Sequence, residues 1–308
     1  MAPQAPAWMA DLDVVTYAIP GFVALIIVEM LFVRAAKRGD YDVTDSAASL
    51  SMGFGNTVSN ALFGVIAAGA YVGAYQFRLF DIGFVWWAFV LCFFAEDLCY
   101  YWFHRLSHER RFFWASHVVH HSSQHYNLST ALRQTWTGNL GLTWIFWLPL
   151  ALIGFPPEMV ALFKGISLVY QFWIHTEAVD RLGPLEWVLN TPAHHRVHHA
   201  TNPRYLDANY AGVLIIWDRL FGTFVDETKA DPPRYGIIAN LGTFNPLRIA
   251  FHEWAGIARD LAAAKTWRAR WGFVFGRPGW SPDGSRATSA SLKAAWKAAL
   301  EADPNRRR

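Results

Sequence analysis

IGFVWWAFVLCFFAEDLCYYWFHRLSH (82–108) decides how the rest of the chain is read. From Ile82 to Phe103 it is apolar and, as a helix, long enough to cross a hydrocarbon core of about 30 Å. Glu96 and Asp97 are its only ionisable acids. With no glycine or proline after Gly83, the helix is expected to continue into His104 and His108, which sit four positions apart on one face. A spanning helix ending in paired imidazoles puts metal-ligating chemistry at a membrane surface.

Four further stretches have the length and apolarity of spans. Val14–Val33 contains Pro20 and one acid, Glu29. Phe54–Phe77 is uncharged and rich in the small residues that suit close helix packing. Thr135–Phe155 follows, then Met159–Ile174, short enough to be a half-buried or tilted element instead. The expected fold is all-α and integral to the membrane, with about four to five transmembrane helices and a cytoplasmic, helical, His-rich cap for two metals. No internal repeat or linker divides residues 1–308, so one domain is expected, with a catalytic core at about 90–226 and a cytoplasmic C-terminal region at 227–308.

Composition agrees. Of 308 residues 53% are hydrophobic and only 17% charged, below the quarter or so usual in soluble domains. Sixteen tryptophans fit an interfacial belt. The net charge of +3 and the absence of a long basic run exclude a nucleic-acid binder, and Arg306–Arg308 is a short solvated tail. Cys92 and Cys99 lie two turns apart on one helix, roughly 10 Å by helical rise, too far for a disulfide.

Lys and Arg set the orientation. Arg34, Lys37 and Arg38 follow the first span, and Arg105, Arg110, Arg111 and Arg133 lie between the third and fourth. The opposite loops hold Arg78, with Lys164 near one end of the fifth. This predicts an external N-terminus and a cytoplasmic His-rich side, in a bacterial inner membrane or the endoplasmic reticulum. Met1–Asp13 lacks the basic residues of a cleavable signal peptide. Beyond His175, Val213–Phe224 is expected on the membrane surface or on the site, Ala250–Trp271 as an amphipathic helix, Arg277–Gly284 as a loop and Ser291–Glu301 as a short helix.

All but one of the 12 histidines fall between His104 and His199. Beside HRLSH stand HVVHH, with His117, His120 and His121, then the lone His175 in FWIHTE, then HRVHH, with His195, His198 and His199. Within each HxxHH the three imidazoles can converge on one side of a helix. Nine imidazoles exceed what one ion takes and lack the thiolates of many structural zinc sites, so two ions are expected. His125 and His252 read as ordinary structural histidines. Ligating imidazoles need acceptors for their second nitrogen. Asp97, on the face of His104 and His108, and Glu177, two after His175, are the expected carboxylates; Glu109 reads equally as a surface partner of Arg110 and Arg111.

EDLCYYWFHRLSH, HVVHHSS and HHRVHH resemble the three histidine boxes of the fatty acid hydroxylase/sterol desaturase superfamily. WASHVVHHSSQHYNLSTALRQTW (114–136), QFWIHTEAVDRLGPLEWVLNTPAHHRVHH (171–199) and NYAGVLIIWDRLFGTF (209–224) are most similar to its alkylglycerol monooxygenase-like branch. The resemblance implies a non-haem centre of two iron ions, with O2 as co-substrate, that hydroxylates or desaturates a lipid C–H bond. It carries over His104, His108, His117, His120, His121, His175, His195, His198 and His199 as ligands, with His194 and Asn209 beside them. The branch implies an ether lipid and tetrahydrobiopterin; other branches take sterols and similar lipids with other donors. Gln124-His125 stands where the branch usually has an acid. A separate electron donor is needed, and the lipid tail is expected to enter from the bilayer between the third and fifth spans; Tyr100, Tyr101, Trp102 and Phe103 read either as lining that path or as ordinary interfacial anchors. The rival readings are a His-rich metal transporter or sensor, a zinc hydrolase, disfavoured by the lack of HExxH, and a catalytically inactive family member.

Overall fold

The computed structural model describes residues 5–9, 12–36 and 39–302, so Lys37, Arg38 and the Arg306–Arg308 tail lie outside the described residues. Among those described there is no β-strand beyond two isolated bridges, and helices build the molecule. α1 (Val14–Ala36) and α2 (Val43–Tyr75) are apolar and long enough to cross a membrane. They are not core helices, because little of either is buried: Phe54 is 74% and Val65 72% exposed. Bare apolar faces of this size on long helices require a lipid or protein neighbour. At 33 residues α2 is about 50 Å long, more than the core needs. Its surplus first turns, opened by the Asp42 carboxylate accepting from Asp45 N at 2.7 Å, carry a buried Asp45–Arg133 pair at 2.6 Å.

α3 (Trp86–Glu109) and α4 (Arg111–His121) meet at a corner at Arg110. Glu96 and Asp97 lie buried within α3, and Cys92 and Cys99 are free thiols in the same helix. Tyr100, Trp147, Met159 and Val160 close a core between α3, α5 (Leu148–Ile153) and α6 (Pro157–Trp173).

The expected fourth spanning helix, Thr135–Phe155, does not form. Its backbone runs irregularly to a 3-10 turn at Thr143–Trp147 and only then enters the six-residue α5. Gly138, Gly141 and Pro149 interrupt it, and α2 supplies the lost hydrogen bonds. Asn56 Nδ2 donates to Thr135 O at 2.5 Å, Ser59 Oγ to Trp136 O at 2.5 Å and Tyr71 OH to Trp144 O at 2.9 Å. The segment therefore ascends alongside α2 and ends where Leu79 N and Phe80 N donate to Leu152 O and Ile153 O. The fifth stretch is a real helix, α6, at 17 residues.

The remainder sits beyond the His-bearing ends of α3 and α6. α7 (Pro192–His198) starts on proline at N1. Within the Val213–Phe224 stretch Val213, Leu214 and Ile215 are buried, and α8 (Ile216–Leu220) follows with Asp218 buried and Leu220 exposed. The expected Ala250–Trp271 helix is two helices, α9 (Pro246–Ala263) and α10 (Trp267–Phe275), because Thr266 caps the second by accepting from Ala269 N. α11 (Ser289–Ala302) agrees with its expectation, and 277–284 is a loop.

Arg111 fastens this C-terminal region to the core. It pairs with Glu253 at 2.6 Å and Asp260 at 2.5 Å, and Arg286 reaches Asp260 at 2.6 Å. Hydrogen bonds from Arg286 and then Arg111 hold the Asp260 carboxyl at about 2, below its ordinary 3.8. The folded value is the lower one, so this contribution is complete above the ordinary value and is lost as pH falls towards about 2. Asp260→Asn is expected to produce the same loosening at neutral pH, seen as faster amide exchange confined to α9, α10 and the 277–289 segment; unchanged exchange there would refute the role.

Candidate metal centre

The helices bring all nine expected imidazoles together, in two groups. His104, His108, His117, His121 and His198 form one; His120, His175, His195 and His199 form the other, and within each group the ligating atoms lie within 4.8 Å of one another. No carboxylate or thiolate joins either group among the described residues. Each HxxHH triplet is divided rather than convergent. On α4, His117 and His121 share a face by i, i+4 spacing, while His120 turns towards the second group. On α7 and the His199 that caps it the division is mirrored: His195 and His199 join the second group and His198 the first. The two helices thus lie between the two groups and contribute to both.

The protonation pattern follows from the backbone. Tyr210 O accepts from His104 Nδ1 at 2.7 Å, Gln171 O from His175 Nδ1 at 2.7 Å and Ala208 O from His198 Nδ1 at 2.9 Å. A carbonyl can only accept, so the proton of each ring sits on Nδ1 and Nε2 is a bare lone pair. These three lone pairs point inward. His104 Nε2 lies 3.0 Å from His117 Nε2, His121 Nε2 is 3.1 Å from His117 Nε2 and 3.2 Å from His198 Nε2. In the second group His175 Nε2 is 3.1 Å from His120 Nε2 and 3.0 Å from His195 Nε2.

These contacts fit cations. Converging lone pairs repel, and His108 Nε2, His195 Nδ1 and His199 Nε2 are buried without a hydrogen-bond partner. The Nε2 atoms, 3.0–3.2 Å from one another, are close enough to be shared by one ion in each group. Burial pushes His108, His117, His121, His175, His195 and His199 well below the usual imidazole range, His120 to about 4 and His198 to about 3. The rings are therefore neutral, which is the ligating form.

The expected carboxylate partners act at one remove. Asp97, fully buried, accepts from Val213 N at 2.8 Å, Leu214 N at 3.0 Å and Trp217 Nε1 at 2.9 Å, not from an imidazole. Asp218 accepts from Tyr210 N and Ala211 N, both at 2.8 Å, and from Thr223 Oγ1 at 2.6 Å. Burial raises Asp218 to about 6 against those donors. The two acids hold the 208–214 loop, whose carbonyls hold His104 and His198. Asn209 adopts φ 55 there and donates to His194 O at 3.0 Å and Val225 O at 2.8 Å. At Gly212 a Cβ would meet Tyr100 Cδ1 at 2.8 Å and Asp97 Oδ1 at 3.0 Å, so the loop fits only with glycine.

Glu177 accepts from Tyr235 OH at 2.9 Å, and Tyr235 stacks on Tyr126, whose ring lies 5.8 Å from His175. The acid that reaches the His175 loop is Glu29 of α1. Its carboxylate accepts from Thr176 Oγ1, from Tyr41 OH and, at 2.8 Å, from Leu128 N. It was visible in the sequence as the one acid of the first span, but nothing there showed its partners. His194 stacks edge-on to Phe224 at 5.3 Å and joins neither group. His125 pairs with Asp40 at 2.5 Å and His252 Nδ1 donates to Ile249 O at 3.0 Å, as expected of structural histidines. Tyr100 and Tyr101 are buried core residues, Tyr101 stacked on Phe221, rather than walls of an open path.

A cavity of about 590 Å³ opens onto the cluster from the side of the C-terminal region. His108, His121, His198 and His199 line it, with apolar Trp114 and Ile238 and charged Arg259 among its other walls.

The sequence model of the fatty acid hydroxylase family matches residues 89–223, the segment that holds all nine histidines. Alkylglycerol monooxygenase of Homo sapiens is 40% identical over 277 residues, covering 88% of this chain and 60% of that protein. The Danio rerio alkylglycerol monooxygenase is 41% identical, covering 87% and 60%. Ornithine lipid hydroxylase OlsE of Rhizobium tropici is 31% identical, covering 44% and 41%. The chain thus spans about 60% of the length of the alkylglycerol monooxygenases it matches. No solved structure matches it significantly. With its histidine boxes and the match over residues 89–223, the chain belongs to the fatty acid hydroxylase family and is a homologue of the alkylglycerol monooxygenases.

Proposed function

We propose that this chain is an O2-dependent membrane oxygenase that holds two iron ions in its two imidazole groups and hydroxylates a lipid C–H bond, with an ether lipid as first substrate. The observation that carries this reading is the convergence of nine neutral imidazoles, three of them with bare Nε2 atoms fixed by backbone carbonyls, beside a cavity that four of them line. Iron bound there would supply the redox chemistry for O2 activation and hydrogen abstraction.

The remaining tasks belong to the chain's own residues. Asp97 and Asp218, through the 208–214 loop, and Glu29, through Thr176, keep the imidazoles aimed. Trp114, Val118, Leu206 and Ile238 offer an apolar wall for an alkyl chain and keep water from the reacting carbon. Arg259 and the polar groups near it suit the lipid's polar end. Hydroxylation of the carbon beside an ether oxygen gives a hemiacetal, which collapses to an aldehyde and a free alcohol. A separate donor must supply two electrons; tetrahydrobiopterin is the first to try, since the relatives that cover most of this chain are alkylglycerol monooxygenases. In this reading residues 1–308 form one domain. α1, α2, α3, the irregular 135–153 segment and α6 cross the bilayer, with the imidazoles on the cytoplasmic side.

The test is turnover of an alkylglycerol under ¹⁸O2 by iron-loaded protein in lipid, with tetrahydrobiopterin or another donor. One labelled oxygen in the aldehyde or its hydrated form, trapped before exchange, is expected. A product bearing only water oxygen under those conditions, or none with any lipid or donor, would contradict the reading.

A further inference from the structure

α10 does not account for its own exposed face. Trp267 is 81% exposed, Trp271 69% and Phe275 37%, at i, i+4 and i+8 on one side of a nine-residue helix. Its opposite side is satisfied: Ala269 and Phe273 are buried with Ala264 and Trp280. No acid lies between Asp260 and Asp283, whereas Lys265, Arg268, Arg270 and Arg277 do. Lys265, Arg268 and Arg270 are exposed, and the Arg270 guanidinium lies 5.1 Å from the Trp267 ring centre. Only Arg277 of the four has an acid near it, Asp207 at 3.8 Å.

Its position is equally specific. Arg111 N donates to Gly276 O at 2.9 Å, so α10 is attached at the α3–α4 corner. From Phe275 a run of ring contacts leads to Phe112 at 5.9 Å, Phe113 at 5.3 Å, Phe146 at 5.1 Å and Phe103 at 5.8 Å. Phe103 is the last apolar residue of the third span. On α9, Phe251 is 43% exposed and lies 6.2 Å from Trp136, which is seated on Gly55 of α2.

We propose that α10 is an interfacial anchor: Trp267, Trp271 and Phe275 insert among the headgroups of the leaflet on the imidazole side, and Lys265, Arg268 and Arg270 bind its anionic lipids. Aromatic residues on one face with basic residues around them are what a helix lying in an anionic interface needs. A second copy of the chain is a poorer occupant, because a symmetric contact would oppose these like charges. Docked in this way, α10 holds the C-terminal region, and the cavity it covers, against the membrane from which a lipid must come. This rests on the reading of α1–α3 as spans.

The test uses the full chain in nanodiscs, labelled at Val274→Cys with an environment-sensitive fluorophore; unsubstituted protein gives the background from the buried Cys92 and half-buried Cys99. Quenching by nitroxide lipids labelled near the headgroup, protection from iodide and strengthening with phosphatidylglycerol are expected. Arg268→Glu with Arg270→Glu should lower the docked population roughly tenfold or more. Iodide quenching without lipid quenching would overturn the proposal, as would protection from both that weakens on diluting the protein, the signature of a second copy. A label at Val65→Cys on α2 separates the levels: if it too escapes lipid quenching, the membrane reading fails and the proposal falls with it.

Discussion

Changing His120 to alanine is expected to remove one of two bound iron ions and abolish turnover, while the chain stays folded. His120 is the single residue by which α4 reaches the second group, and its Nε2 lies 3.1 Å from that of His175. Three imidazoles remain there, too few to keep the ion tightly bound. Loss of an outer partner of a metal ligand typically costs about 10–100-fold in affinity or activity, and loss of the ligand itself should exceed that. His198→Ala leaves four imidazoles in the first group, as many as the intact second group has, so its ion should bind more weakly yet remain. The expected result is thus one iron and activity below detection in His120→Ala, and two ions in His198→Ala with only the first-group ion more easily removed by a chelator. If His120→Ala keeps two ions, or keeps activity within tenfold of the parent, or if His198→Ala holds both ions as tightly as the parent, the assignment of that residue is wrong.

The second large effect falls on a residue that touches no metal. Asp218→Ala leaves Tyr210 N, Ala211 N and Thr223 Oγ1 without their acceptor in a fully buried place. At about 1–3 kcal/mol for each orphaned donor, several kcal/mol of stability are at risk. The damage passes to the site because Tyr210 O and Ala208 O, on the same loop, are what keep His104 and His198 in the tautomer with Nε2 free. Asp218→Asn keeps the shape and one acceptor oxygen. It is expected to fold with lower thermal stability and weakened iron in the first group, leaving the second nearly untouched. Equal weakening of both groups would mean that Asp218 supports the fold in general and not this loop.

The sequence was most informative where chemistry demands particular side chains at fixed spacing. That these nine imidazoles gather was legible because ligation of this kind needs imidazoles and because helical geometry ties i to i+3 and i+4. The same spacing was silent on how each triplet divides, since that depends on where the two helices lie relative to each other. The partners of the ligands were illegible for another reason. They are backbone carbonyls of Gln171, Ala208 and Tyr210, and any residue supplies a carbonyl. Asp97 was expected to accept from a ligating imidazole, yet it accepts from backbone amides of the loop and from Trp217. Thr135–Phe155 was misread because apolar composition reports solvent and not conformation. Its glycines and the hydroxyl and amide donors of α2 allow an irregular path that hydropathy does not distinguish from a helix. Thr266, which ends one helix by capping the next, was likewise hidden inside an amphipathic run.

Metal content is the direct measure of the central claim that two groups of imidazoles hold two iron ions. Protein purified without oxygen and without added metal, then analysed by mass spectrometry for all transition metals, should carry two iron per chain with little zinc. No tightly bound metal, or a single zinc per chain, would contradict the account and return a zinc site or an inactive family member to consideration.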